Sequence, residues 1–139
     1  MTVYGLYWPA KEQMFDKKGA CGMDAKQKAR CLGQLRYLKM EGLALKRRME
    51  AVRADRAKGE ADRLVELRRL AVRRRRCMKR AEALTAFIEG VDDSLVRQIL
   101  AYRYEEGLTW RAVAAHIGER DEQYPRRIHN RYLDRKSVV

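Results

Sequence analysis

The chain has 139 residues and a mass of 16.3 kDa, room for one domain, or for one small domain with an extension. Charged residues make up 37% and the net charge is +13, which favours a polyanionic partner such as DNA, RNA or an anionic membrane over a protein-only partner. No apolar run approaches membrane-spanning length and MTVYGLYWPAKEQMF lacks the basic start and apolar core of a signal peptide, so the expected location is the cytoplasm.

Residues 1–23 read as an irregular N-terminal arm, since Gly5, Pro9, Gly19 and Gly22 break any helix pattern. Its aromatic residues Tyr4, Tyr7 and Trp8 are expected to dock on a helix. Cys21, Cys31 and Cys77 are widely spaced and include no C-x-x-C pair. They are read as free thiols, with Cys31 and Cys77 acting as small apolar residues on helix faces. With His116 and His129 they have no ligand spacing, so no metal and no cofactor is expected.

Residues 24–90 read as a helical hairpin and oligomerisation region. A long helix is expected from Asp24, a suitable N-cap. Leu32, Leu35, Leu38, Gly42, Leu45, Met49 and Val52 recur at steps of three and four, close to the coiled-coil period. Gly42 on that stripe allows close approach of a partner helix. The stripe fades around ADRAKGEADR, where Gly59 marks a turn. A second helix is expected from about Asp62 to Ile88, with the stripe Leu67, Leu70, Arg74, Cys77, Ala81, Leu84 and Ile88. Arg74 interrupts it and must carry its charge outward. Each helix is roughly 40–45 Å long at ~1.5 Å per residue. Joined by a short turn, they make an antiparallel hairpin, which would pair with a second copy or pack on the C-terminal part. The run RRRR at 73–76, with Arg68, Arg69, Lys79 and Arg80, is either a solvated helix face or a phosphate contact beside a duplex.

Residues 91–139 read as a compact unit of three helices. Asp92 or Asp93 caps the first, which carries Leu95, Val96, Ile99, Leu100 and Tyr102 or Tyr104 on its apolar side. Gly107 ends it in the left-handed conformation, Leu108 supplies a hydrophobic contact and Thr109 caps the next helix. That second helix, Trp110 to about Ile117, has Trp110, Val113, Ala114 and Ile117 on one face, and Gly118 ends it. After GERDEQ, with Asp121 as a cap, comes DEQYPRRIHNRYLDRK. In this third helix Ile128 and Tyr132 share a face with Pro125, and Leu133 lies beside it. Gln123, Arg126, Arg127 and Asn130 lie opposite, with Arg131 and Arg135 nearer the edge. A short helix, a tight turn and a basic third helix are the layout of a helix-turn-helix. Arg donates two bonds to guanine, Asn or Gln pairs with adenine, and flanking basic residues neutralise phosphates. The residues singled out for DNA are therefore Gln123, Arg126, Arg127, Asn130, Arg131, Arg111, Thr109 and Arg135.

RYEEGLTWRAVAAHIG, followed by RRIHNRYL, resembles the helix-turn-helix of sigma-factor region 4, and most closely phage and prophage regulators of the ArpU and RinA kind. Arg103, Tyr104, Gly107, Thr109, Trp110, Val113 and Ala114 match the first half of that pattern, and Arg127, Ile128, His129, Arg131 and Leu133 the second. The resemblance implies an all-α protein, a coiled-coil-like hairpin followed by a three-helix DNA-binding domain. It implies a sequence-specific regulator of phage late genes, acting near host RNA polymerase in a bacterial cell. The sequence departs from the pattern at Arg111 and Ala112, where an acidic pair is usual, in a longer turn, and at Pro125. Proline is tolerated in a first helical turn, so the third helix is expected to begin near Tyr124.

His129 has no carboxylate partner along the chain and reads as a packing or phosphate-contacting residue. No P-loop, metal motif or nucleophile–base pair is present, and no enzyme is expected. The expected partner is double-stranded DNA, bound by a homodimer. Two other readings stay open: a small-terminase-like DNA-packaging recognition subunit, and a factor that grips RNA polymerase or a host nucleoprotein complex without reading DNA.

Overall fold

A computed structural model describes residues 24–135. The docking of Tyr4, Tyr7 and Trp8 and the state of Cys21 lie outside the described residues. The described chain is helical, with no strand: α1 (Ala25–Leu32), α2 (Leu35–Ala54), α3 (Glu60–Glu89), α4 (Ser94–Leu100), a π-helical turn (Ala101–Glu105), α5 (Trp110–His116) and α6 (Gln123–Leu133). None of these helices is long and apolar enough to cross a membrane.

Asp24 caps α1 in a reciprocal box with Gln27: its carboxylate accepts from the Gln27 N–H at 2.8 Å, and the Gln27 side chain accepts from the Asp24 N–H at 3.0 Å. The single helix expected from Asp24 does not run through. It breaks at Gly33 and Gln34, where Gln34 N–H turns to the Cys31 carbonyl, three residues back. On its side of the break α1 packs on α6. There the buried Lys28 ammonium donates to the Leu133 carbonyl at 2.9 Å. Leu32 and Leu35, on either side of the break, are both fully buried.

Along α2 the residues Leu35, Leu38, Gly42, Leu45, Met49 and Val52 are all buried, as their spacing predicts. On α3 the buried residues are Leu70, Cys77, Ala81, Leu84 and Ile88, with Leu67 half-buried. A Cβ on Gly42 would stand 3.3 Å from the Met78 sulfur, so the absent side chain is what lets α3 close in. Arg73 pairs with Glu41 at 3.2 Å and Arg48 with Glu66 at 3.8 Å. Moving forward along α2 is thus moving backward along α3, and the two helices run antiparallel. These ion pairs are exposed on at least one side, so solvent screens them and they add little. Each fully buried leucine contributes ~1.5–3 kcal/mol, so the apolar seam sets the packing. Arg74 stays half-buried in it, with its Nε enclosed and without a hydrogen-bond partner among the described residues.

One apolar core runs from this seam into the C-terminal helices: Leu84, Ile88, Val91, Val96, Leu100, Tyr104 and Leu133 belong to the same cluster as Leu32 and Leu35. Phe87 of α3 and Tyr132 of α6 meet at 6.4 Å between ring centres. The last helix is therefore held from below by α1 and α3, as well as by its neighbours in sequence.

Candidate nucleic-acid interface

Asp93 caps α4, its carboxylate accepting from the Val96 N–H at 3.1 Å. The α-helix expected to continue through Tyr104 changes register at Ala101. Glu106 N–H reaches back five residues to the Ala101 carbonyl at 3.1 Å, and Leu108 N–H reaches Tyr102 at 3.0 Å. The wider turn assigns the aromatics to opposite tasks. Tyr104 is buried, while Tyr102 lies half-buried against His116 at 4.9 Å. Arg103 covers the Trp110 ring at 4.7 Å and donates to the Leu108 carbonyl at 2.9 Å, bridging the corner between α4 and α5.

Two glycines shape the path. Gly107 has φ +70° and Gly118 φ +80°, the left-handed region where a Cβ is costly. Gly107 is also crowded, because a Cβ there would fall inside the Arg36 side chain of α2. Gly118 closes α5 as a Schellman motif: Glu119 N–H donates to Ala114 at 2.8 Å and Gly118 N–H to Ala115 at 3.2 Å. Between them Thr109 caps α5, its hydroxyl accepting from the Ala112 N–H at 3.2 Å. Val113 and Ala114 are buried, and Trp110 and Ile117 half-buried.

The helix α6 starts at Gln123, one residue before the expected Tyr124. Asp121 makes this possible: its carboxylate accepts from the Gln123 N–H at 2.9 Å. Pro125 is the third helical residue, where no N–H is needed, and it is almost fully buried. The buried line of α6 is Pro125, His129 and Leu133; Ile128 and Tyr132, expected at its centre, are half-buried to one side. His129 is only 4% exposed, which removes it from phosphate contact. Its Nδ1 lies 2.8 Å from Asn130 Oδ1 and its Nε2 2.5 Å from the Tyr104 hydroxyl. With Nδ1–H donating to Asn130, Nε2 is the acceptor for the phenol O–H. The Trp110 ring meets the imidazole edge-on at 4.8 Å.

Burial sets the charge state of this cluster. Desolvation pushes the Tyr104 phenol up to about 12, against a smaller opposing effect of Arg103, so it stays protonated as a donor. Desolvation likewise pulls the His129 imidazole below its ordinary value; the Asn130 bond opposes this, and Arg103 and Arg126 add to it.

With Pro125, His129 and Leu133 inward, α6 turns Gln123, Arg126, Arg127, Asn130 and Arg131 to solvent. Arg127 leans on Asp121 at 3.6 Å. Arg135 follows the end of the helix and is exposed, as are Arg111 and Thr109 on α5. Arg111 projects from the other helix of the unit, and the Thr109 hydroxyl is already engaged as a cap. Two residues that hold α6 carry no local signal: Lys28 acts from 105 positions away and Tyr104 from 25. Among the described residues no group of three or more His, Cys, Asp or Glu could hold a metal ion. Compared with models of known protein families, with curated proteins and with solved structures, the chain matches none of them.

Proposed function

We propose that the protein is a sequence-specific transcriptional regulator of phage or prophage late genes that binds duplex DNA through a helix-turn-helix made of α4, α5 and α6. The observation that carries this reading is the outward face of α6. Gln123, Arg126, Arg127 and Asn130 lie there together on a helix whose opposite side is locked in the core. From Gln123 to Asn130 the helix rises about 10 Å, and a helix with its side chains matches a major groove ~12 Å wide. Arg126 and Arg127 would take guanine edges, and Asn130 and Gln123 adenine edges. Arg131, Arg135, Arg111 and the Thr109 cap would lie toward phosphates. The likeness of 103–133 to regulators of the ArpU and RinA kind supports the same reading, with action near host RNA polymerase in the bacterial cytoplasm as part of the proposal.

The α2–α3 hairpin is proposed to hold two copies together. Tyr37, Met40 and Leu43 expose apolar surface on α2, at 66%, 60% and 51%, which a second copy would cover. No catalytic step belongs to this reading.

Selection of bound duplexes from a random or genomic pool at moderate salt tests it. An enriched palindrome is expected. Arg126→Ala and Arg127→Ala should each weaken binding to it by about 1–3 kcal/mol and relax preference at one position. Unchanged binding by both variants overturns the docking of α6. A ring of many subunits in light scattering would point instead to a packaging-recognition subunit. Capture of RNA polymerase from nuclease-treated lysate, without any enriched DNA, would point to a protein-interaction factor.

A further inference from the structure

Between Glu66 and Glu82 the helix α3 carries eight basic residues and no acidic one. Two of the eight are accounted for by the fold: Arg74 sits half-buried in the seam and Arg73 pairs with Glu41. A third, Arg80, is engaged within the fold. The other five, Arg68, Arg69, Arg75, Arg76 and Lys79, are exposed, and none of them has an ion-pair partner among the described residues. Arg68, Arg69, Val72, Arg73 and Arg76 line one open depression on the outside of the helix. From 68 to 79 the axial distance is about 16 Å, so a cation recurs every few ångströms along a straight rod.

This pattern does not serve the stability of α3. Like charges four apart on a helix, such as Arg69 with Arg73 and Arg75 with Lys79, destabilise it by roughly 0.2–0.5 kcal/mol each. Solubility does not call for it either, since without these five cations the net charge of +13 would still be +8. We propose that the outward face of α3 is a second DNA-binding surface, which grips the phosphate backbone of a duplex without regard to sequence. Four of the five exposed cations are arginines, whose planar forks match phosphate oxygens in pairs. The stretch 67–81 contains no aromatic residue on which single-stranded bases could stack. Its exposed apolar residues are Val72 and Met78, with Leu64 and Val65 just before the stretch, too little to enter a membrane. A second copy seated face to face would bring like charges together. An extended run of phosphates is the partner that neutralises all five.

This surface is independent of base reading by α6, and the experiment keeps the two apart. Binding of the full chain to a random-sequence DNA duplex is measured as a function of salt. Replacing Arg68, Arg69, Arg75 and Arg76 together by alanine should lower the slope of log affinity against log salt by about 3–4, at ~0.9 per phosphate contact. Alanine suits an exposed helical position, and circular dichroism checks the helix content. The single variants Arg69→Ala and Arg76→Ala should each lower the slope by about 1. The four lysine substitutions should keep most of it. The same decrement should appear in a chain that also carries Arg126→Ala and Arg127→Ala, so its presence there supports the α3 surface even if α6 reads no bases. An unchanged slope in the alanine variants overturns the proposal. So does a wild-type chain that binds a poly-glutamate peptide but no duplex.

Discussion

The hydroxyl of Tyr104 lies 2.5 Å from Nε2 of His129 and ties the π-helical turn to the middle of α6. On the other side of the imidazole, Nδ1 engages Asn130, a residue of the exposed face. One buried ring thus joins the scaffold to the surface that α6 presents. Its partners are satisfied on both nitrogens, which is the condition for a polar group to sit in a core.

Tyr104→Phe should keep the packing and remove the donor, leaving Nε2 buried and unpaired. The expected loss is about 1–3 kcal/mol in urea unfolding. The exposed single substitution Arg126→Ala should change stability by no more than ~0.5 kcal/mol. Equal stability of Tyr104→Phe and wild type would show that the hydroxyl bond contributes nothing.

Stability should fall with acid in a window that His129 sets. Its folded value lies below the ordinary ~6.5, so the unfolded chain binds the proton more readily. The contribution of burying the neutral ring is therefore complete above pH ~6.5 and is lost as pH falls through the lowered folded value. The slope from this one group cannot exceed about 1.4 kcal/mol per pH unit. Urea unfolding of wild type and His129→Gln from pH 7.5 downward checks it: the difference between them should shrink below pH ~6.5.

The two left-handed glycines should differ in cost. Gly118→Ala meets no atom within 4 Å, so its penalty is the backbone strain alone, about 1–2 kcal/mol. Gly107→Ala carries the same strain and also displaces the Arg36 side chain. Thermal unfolding should rank Gly107→Ala below Gly118→Ala, and equal melting temperatures would mean that Arg36 moves aside without cost.

Lys28 places a cation at the C-terminal end of α6, where the helix dipole favours it. Lys28→Met should cost about 1.5–3 kcal/mol, the range for a hydrogen bond to a charged group. Hydrogen exchange should rise first in the last turn of α6, around Tyr132 and Leu133. Uniform exchange with no local change would remove Lys28 from this role.

Much of the molecule is legible in the order of its residues because helical burial obeys a short period. The stripes of α2 and α3 need only the 3.6-residue repeat to be read, and their apolar positions pack as that repeat predicts. The caps at Asp24, Asp93 and Thr109 and the left-handed turns at Gly107 and Gly118 are equally local, since each bond spans a few residues. The exposed face of α6 follows from the same arithmetic.

What the tertiary structure alone decided depends on partners far along the chain. The packing of α1 beyond the Gly33 break depends on α6, through a Lys28 bond that spans 105 positions. The π-helical register at Ala101 puts Tyr104 where a histidine 25 residues later can accept a hydrogen bond from its hydroxyl. The buried line of α6 passes through His129 because both nitrogens of the neutral imidazole find hydrogen-bond partners there, and no periodicity rule scores that. Charge is the remaining case. The sequence by itself determined that the chain is strongly basic; which cations are paired, half-buried or left open on α3 was decided only when α2 packed against it and took Arg73 to Glu41.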